Sequence, residues 1–178
     1  MNKKLPAKMM TACAIMAAIM CVVGPISIPI GPIPLSLINL AIYFSIYILG
    51  TRGAFWSYLV YVLLGSFGLP VFSGFSGGLA KLMGPTGGFI IGFFITIITC
   101  GILFKLCGSN RIICITVMIV TTAISYAFGV IWFIILMDCE LMYALTVCVI
   151  PFIPGDLAKI IIAAFIAPQI SRRIKVNI

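Results

Sequence analysis

"GFSGGLAKLMGPTGGFIIGF" (Gly74–Phe93) sets glycines, a proline and a lysine between two hydrophobic segments of a very apolar chain. Gly84, Gly88 and Gly92 recur every four residues, a stripe of small residues along one helix face where another helix can approach closely. Pro85 suits the first turn of that helix, where a missing N–H is harmless. Helix packing does not explain the loop before it. In "FSGFSGG" (72–78), glycines at 74, 77 and 78 alternate with Ser73, Ser76 and two aromatics. That composition allows tight turns and leaves backbone donors within reach of a ligand. A loop of this kind is tolerated at membrane depth where it lines water or ligand rather than lipid.

The rest of the chain supplies the membrane. Of 178 residues 63% are hydrophobic and 8% charged, with a mean hydropathy of +1.33, against roughly 45–50% apolar and about 25% charged in a soluble domain. An all-α integral membrane protein with one membrane domain over residues 1–178 is expected. Because a spanning helix needs about 20 apolar residues, spans are expected near 9–24, 35–50, 53–68, 85–106, 111–137 and 141–171, six crossings in all. "MMTACAIMAAIMCVVGPI" (9–26) reads as a retained span, since hydrophobic segments continue to the far end. The last region would be ~46 Å as one straight helix, against a ~30 Å hydrocarbon core. A break is expected at "PFIPGD" (151–156), whose two prolines donate no backbone hydrogen bonds.

Charge orients these spans. Six crossings put Lys3, Lys4, Lys8, Arg52, Lys105, Arg111, Arg172, Arg173 and Lys175 on one side, nine of the eleven cations. Lys81 falls on the other side and Lys159 inside the last span. The positive-inside rule then makes both termini cytoplasmic, with "IPIGPIP", the 74–84 loop and "MDCE" outside. The net charge of +8 records topology and argues against nucleic acid as a partner.

Seven cysteines are scattered without a Cys-x-x-Cys, and the chain has no histidine. A zinc site and His-dependent nucleophilic catalysis are both disfavoured. Cys139, in the expected outer loop, has no evident disulfide partner. The three carboxylates are Asp138, Glu140 and Asp156, and two of them sit in a loop, so a paired-carboxylate hydrolase is disfavoured as well.

Asp156 and Lys159 are the ionisable pair within a span, three residues apart and therefore on one helical face. A charge at the bilayer centre costs about 2.5–3.5 kcal/mol on the mildest scale, so such groups face a cavity or each other. One reading is an ion pair with Asp156 capping the helix that follows Gly155. The other makes this helix start the wall of a polar pocket, with Lys159 holding an anionic or carbonyl oxygen and Asp156 accepting an N–H. The two are compatible.

"GSFGLPVFSGFSGGLAKLMGPTGGFIIGF" (Gly65–Phe93) closely resembles the signature region of the BioY family, the biotin-binding S components of energy-coupling factor (ECF) transporters. "PGDLAK" (Pro154–Lys159) resembles that family's last-helix motif, and Leu49, Gly50 and Gly53 match an LG-x-x-G after its second helix. The resemblance runs over nearly the whole chain and adds Tyr61 and Gly65. It implies a protein that captures biotin outside the cell membrane and topples to release it inside, together with a transmembrane coupling subunit and two ABC-type ATPases. No cofactor is implied, and the missing Walker motif means that ATP hydrolysis must come from those partners.

The resemblance carries ligand contacts onto Asp156 and Lys159, with Ser73, Gly74 and Thr86–Gly88 as the other wall. Ala14 and Ala18 fit the small-residue pattern with which S components dock on the coupling subunit; intramolecular packing accounts for that spacing equally well. Biotin offers two ureido N–H donors, a carbonyl, an apolar thiophane and a carboxylate, which call for a few polar groups in an apolar shell. Phe72, Phe75, Tyr43 and Phe44 are candidate apolar walls. The chain departs from the family where many members have Pro-x-Thr-x-Gln. Here "PLSLIN" puts Ser36 at the threonine position, Ile38 at the glutamine position and Asn39 one residue later, turned by ~100° on a helix. Asn39 is kept as a candidate contact. An S component for another small vitamin or precursor, and a membrane-embedded enzyme or assembly subunit, are the alternatives at this point.

Overall fold

The computed structural model describes residues 7–107 and 110–174; the charge readings on Lys3, Lys4 and Lys175 lie outside them. Its first element, α1 (Ala7–Val23), is rich in alanine and methionine and ends at Gly24-Pro25. A Cβ at Gly24 would stand 2.7 Å from the Tyr61 hydroxyl and from the Val71 carbonyl, so glycine lets the chain turn against the third segment.

A hairpin follows where the sequence leads one to expect an outer loop. Strands β1 (Ser27–Ile30) and β2 (Ile33–Ser36) pair antiparallel, with Pro29 opposite Pro34 and Ile30 opposite Ile33. The residues flanking a two-residue turn exchange hydrogen bonds and the next pair does not. Both prolines therefore stand where the ladder asks for no N–H. Gly31 supplies the positive φ, 77°, of the turn.

Helix α2 (Ile38–Ser66) is broken at Gly50, whose φ of 68° and ψ of 179° are non-helical. Asn39 and Tyr61 would be ~33 Å apart on a straight helix, yet both line one cavity. The chain therefore folds back at Gly50, and the expected division into 35–50 and 53–68 appears as residues 38–49 and 51–66. The short α3 (Leu79–Met83) leads to α4 (Gly87–Cys107). Pro85 falls just before α4 rather than in its first turn: Thr86 gives its carbonyl to the Ile90 N–H and starts the helix.

Helix α5 (Arg111–Met137) begins at Asn110, whose side chain accepts from the Ile112 N–H, and ends at Asp138 in the left-handed conformation. It locks onto α4 through glycines. A Cβ on Gly88 would run into Trp132, and one on Gly129 into the Phe89 ring, so each bulky ring lies on the other helix's bare backbone. Gly92 meets Phe128 and Ser125 in the same seam, while Gly84, outside the helix, accepts the Trp132 indole N–H at 3.0 Å.

The last region is α6 (Leu141–Cys148), a 3₁₀ turn (Ile150–Phe152) and α7 (Ile153–Ile174). The expected break is present, but it lies at Val149–Phe152. Pro154 needs no N–H partner in the first turn of a helix, so α7 starts before Gly155. Asp156 thus sits inside the first turn of α7 and is not its N-cap.

Four helical stretches are long and apolar enough to cross a membrane: Ile38–Ser66, Gly87–Cys107, Arg111–Met137 and Leu141–Arg173. Their outward faces are apolar, with Ile135 77%, Leu106 76% and Met142 73% exposed, as a lipid solvent requires. The small hairpin is the addition to the expected all-α fold. Several contacts gather the described cations, other than Lys81 and Lys159, at one end. Cys13 reaches the Gly53 carbonyl, Ser171 the Tyr47 carbonyl, and the Arg111 guanidinium lies 4.5 Å from the Phe165 ring centre. Lys8, Arg52, Lys105, Arg172 and Arg173 belong to that end; the hairpin and the cavity occupy the other.

Candidate functional site: a cavity around Asp156 and Lys159

Lys159 and Asp156 are each 6% exposed and joined at 2.9 Å, Nζ to Oδ1. Asp156 Oδ1 also accepts from Asn39 Nδ2 at 2.8 Å, and Oδ2 accepts from the Tyr126 hydroxyl at 2.5 Å. Lys159 makes a second bond, 2.6 Å, to the Ser36 carbonyl at the end of β2. An ammonium has three N–H groups, and those two bonds leave one without a partner among the described residues. The ion-pair half of the first sequence reading is thus present, but α2 and α5 take the place of the helix terminus in holding the carboxylate.

Around this network lies a cavity of about 80 Å³. The hairpin covers it with Ile33 to Ser36, and Phe72 and Ser73 enter from the glycine-rich loop. Its apolar wall is an aromatic cluster. Tyr58 and Tyr61 stack at 5.7 Å, the Tyr61 and Phe72 rings meet edge-on at 5.6 Å, and Phe93 stands edge-on to Tyr58. Such pairs fix ring positions beyond what burial alone does. Below them the polar side chains are bonded to one another. The Tyr43 hydroxyl is 2.6 Å from Thr122 Oγ1 and 3.2 Å from the Met118 carbonyl, and Ser125 pairs with Thr96. The cavity is therefore apolar on one side, with its polar groups converging from α2, α5 and α7, as a small-molecule site requires.

Asn39, Tyr43, Phe72, Ser73, Thr86, Asp156 and Lys159 all line this cavity. Asn39 does so despite its one-residue offset, because α2 starts at Ile38 and its second residue turns toward α7. Gly74 and Gly88 do not line it. Gly74 holds a φ of 74° and donates its N–H to the Pro25 carbonyl, tying the loop to the end of α1. Gly88 packs on Trp132. Phe75 is 72% exposed, and Phe44 faces a separate groove against α1. Lys81, in α3 at the cavity end, is half-buried, and burial lowers its pKa from the ordinary lysine value.

The sequence reading missed the α5 wall, Thr122, Ser125 and Tyr126. The signal was available in "TTAISY" (121–126), where polar side chains recur at i, i+3 and i+4 on an apolar span. Polar groups so placed within a span face a bundle interior.

The BioY family model matches residues 1–176. The chain is 35% identical over 164 residues to the probable biotin transporter BioY of Pyrococcus horikoshii, covering 92% of this chain and 96% of that one. It is 35% identical over 158 residues to the biotin transporter BioY of Thermotoga maritima, covering 89% and 92%. A 2.1 Å crystal structure of the S-component for biotin from an ECF-type ABC transporter matches with a TM-score of 0.86 at 28% identity, over 97% of this chain and 95% of the other. With a family match over almost its full length, the chain belongs to the BioY family.

Proposed function

We propose that this protein captures biotin from outside a cell membrane and delivers it inward as the substrate-binding S component of an ECF transporter. It is a transport component and not an enzyme. The observation that carries this reading is the buried Asp156–Lys159 pair, held by Asn39, Tyr126 and Ser36, beside an aromatic wall in a BioY chain. A ureido ring presents N–H donors and a carbonyl that suit a carboxylate and an ammonium, and the thiophane suits the aromatic side. Asp156, Lys159, Asn39, Tyr43, Phe72, Ser73 and Thr86 are the contacts; Gly74 and Gly88 shape the elements that carry them.

The topology follows the same reading. α1, the two halves of α2, α4, α5 and the broken α6–α7 make six crossings of a single membrane domain. Both termini lie in the cytoplasm, because the cation-rich end is opposite the cavity. Ala14 and Ala18 are exposed on α1 and form the docking stripe for the transmembrane coupling subunit, which links the protein to two ABC-type ATPases. Reporter fusions at each terminus check the orientation.

The deciding experiment is radiolabelled biotin binding to the purified, detergent-solubilised protein, with thiamine and riboflavin as competitors and Asp156→Asn beside the parent. Saturable, stoichiometric binding that resists both competitors and is lost in Asp156→Asn is expected. A well-folded sample that binds no biotin would sink the proposal.

A further inference from the structure

A second concavity lies on the other side of the first half of α2, between that helix, α1 and α7. It has a volume of about 410 Å³ and a lining that is apolar throughout, including Ala12, Ile19 and Val23 of α1, Phe44 and Ile48 of α2, and Ile170 of α7. Along α1 it runs from Ala12 to Val23, ~16 Å of helix. One leaflet of a ~30 Å hydrocarbon core has about that depth.

The groove's two ends differ. At the end remote from the cavity, Lys8 lies one turn before Ala12 and Arg173 lies three residues after Ile170, so each cation continues the groove-lining face of its own helix. Both side chains are exposed. The chain's three carboxylates are Asp138, Glu140 and Asp156. The first two follow α5 at the opposite end, and Asp156 is buried with Lys159. No carboxylate among the described residues pairs with Lys8 or Arg173, so both exposed cations stand open to an anionic group at this end of the groove.

We infer that this groove is a binding site for one anionic phospholipid, an acyl chain lying along α1 and α2 and the phosphate held between Lys8 and Arg173. A phosphate-bearing headgroup satisfies the cations, and the leaflet-deep apolar lining selects a lipid over free phosphate. Ala14 lies about 200° around α1 from Ala12. The lipid and the small-residue stripe therefore use different faces of α1.

The test is native mass spectrometry of the full chain, purified in detergent and titrated with dioleoylphosphatidylglycerol or dioleoylphosphatidylcholine. Parallel samples carry Lys8→Ala with Arg173→Ala, Ile19→Trp to fill the groove, and Lys105→Ala as a control cation at the same membrane end. Thermal unfolding verifies that each variant is folded. One phosphatidylglycerol retained in preference to phosphatidylcholine is expected, and excess inorganic phosphate should leave it in place. The double charge variant should bind it about thirtyfold more weakly, on the scale of the attraction of two basic residues to an anionic lipid. Ile19→Trp should weaken retention of both lipids, and Lys105→Ala should change nothing. Equal retention of the two lipids, displacement by phosphate, an unaffected double variant or an equal loss in Lys105→Ala would overturn the inference. A groove that holds no lipid, but whose filling abolishes association with a coupling subunit, would also overturn it and assign the surface to a protein partner.

Discussion

The Tyr126 hydroxyl donates a 2.5 Å hydrogen bond to Asp156 Oδ2, joining the middle of α5 to the first turn of α7. With Asn39 and Lys159 on Oδ1, both carboxylate oxygens are held from three directions before any ligand arrives. Positioning of this kind spares the ligand the cost of ordering its own contacts.

Tyr126→Phe should therefore act on binding through Asp156. It leaves a buried, charged acceptor short of one donor, a loss of about 1–3 kcal/mol. Biotin affinity is expected to fall about tenfold or more, with a lower thermal midpoint in detergent. Equilibrium binding of radiolabelled biotin reads the first and a melting curve the second. An affinity within threefold of the parent would mean that Asp156 keeps its place without α5.

Separating the ion pair tests whether it serves the ligand or the fold. Lys159→Ala should weaken biotin binding by roughly 2–5 kcal/mol, largely because a carboxylate is left unpaired in a dry site. Removing both charges with Asp156→Asn and Lys159→Met should recover most of the lost thermal stability, since a buried pair replaced as a unit costs little. Binding should not recover. A double variant that regains biotin affinity would show that the pair is structural.

Gly88 makes the opposite case. It was expected at the pocket wall, and the structure places it under Trp132. Gly88→Ala should cost about 1–3 kcal/mol of stability through overpacking of α4 on α5 and leave biotin affinity within threefold in the folded fraction. A selective loss of affinity at unchanged melting temperature would return Gly88 to the site.

How much of this was legible in the sequence follows from the physics at each position. The long apolar helices were readable because apolar length is dictated by bilayer thickness, and the fold-back at Gly50 because Gly50, Arg52 and Gly53 interrupt an otherwise continuous apolar run. Asp156 and Lys159 stood out because charge inside a span is costly. The hairpin was not legible, since Pro29 and Pro34 argue against strands until their register shows that neither N–H is needed. The phase of Asn39 was not legible, because a helix-phase argument depends on where the helix starts, and α2 starts at Ile38. Tyr126 does not stand out although Thr122 and Ser125 share its face, because the carboxylate it holds is thirty residues away in sequence.

Ser36 anchors the strand that covers the cavity. Its hydroxyl donates to the Gly24 carbonyl at 2.9 Å and accepts from the Ile38 N–H at 3.2 Å, while its carbonyl takes the 2.6 Å bond from Lys159. One residue thus fixes the end of the covering strand to α1, to the start of α2 and to the site itself. Ser36→Ala removes the first two bonds and keeps the third, because the third belongs to the backbone. The hairpin should then open more often without changing the contacts of the closed state. Biotin dissociation is expected to quicken about fivefold to tenfold, the scale of one net side-chain hydrogen bond of about 1 kcal/mol. Because the Asp156–Lys159 network is untouched, most of the change in Kd should come from the off-rate, as is usual for variants of one site. Stopped exchange of bound radiolabelled biotin against unlabelled ligand measures it. An unchanged off-rate together with a slower on-rate would mean that the hairpin limits entry rather than release.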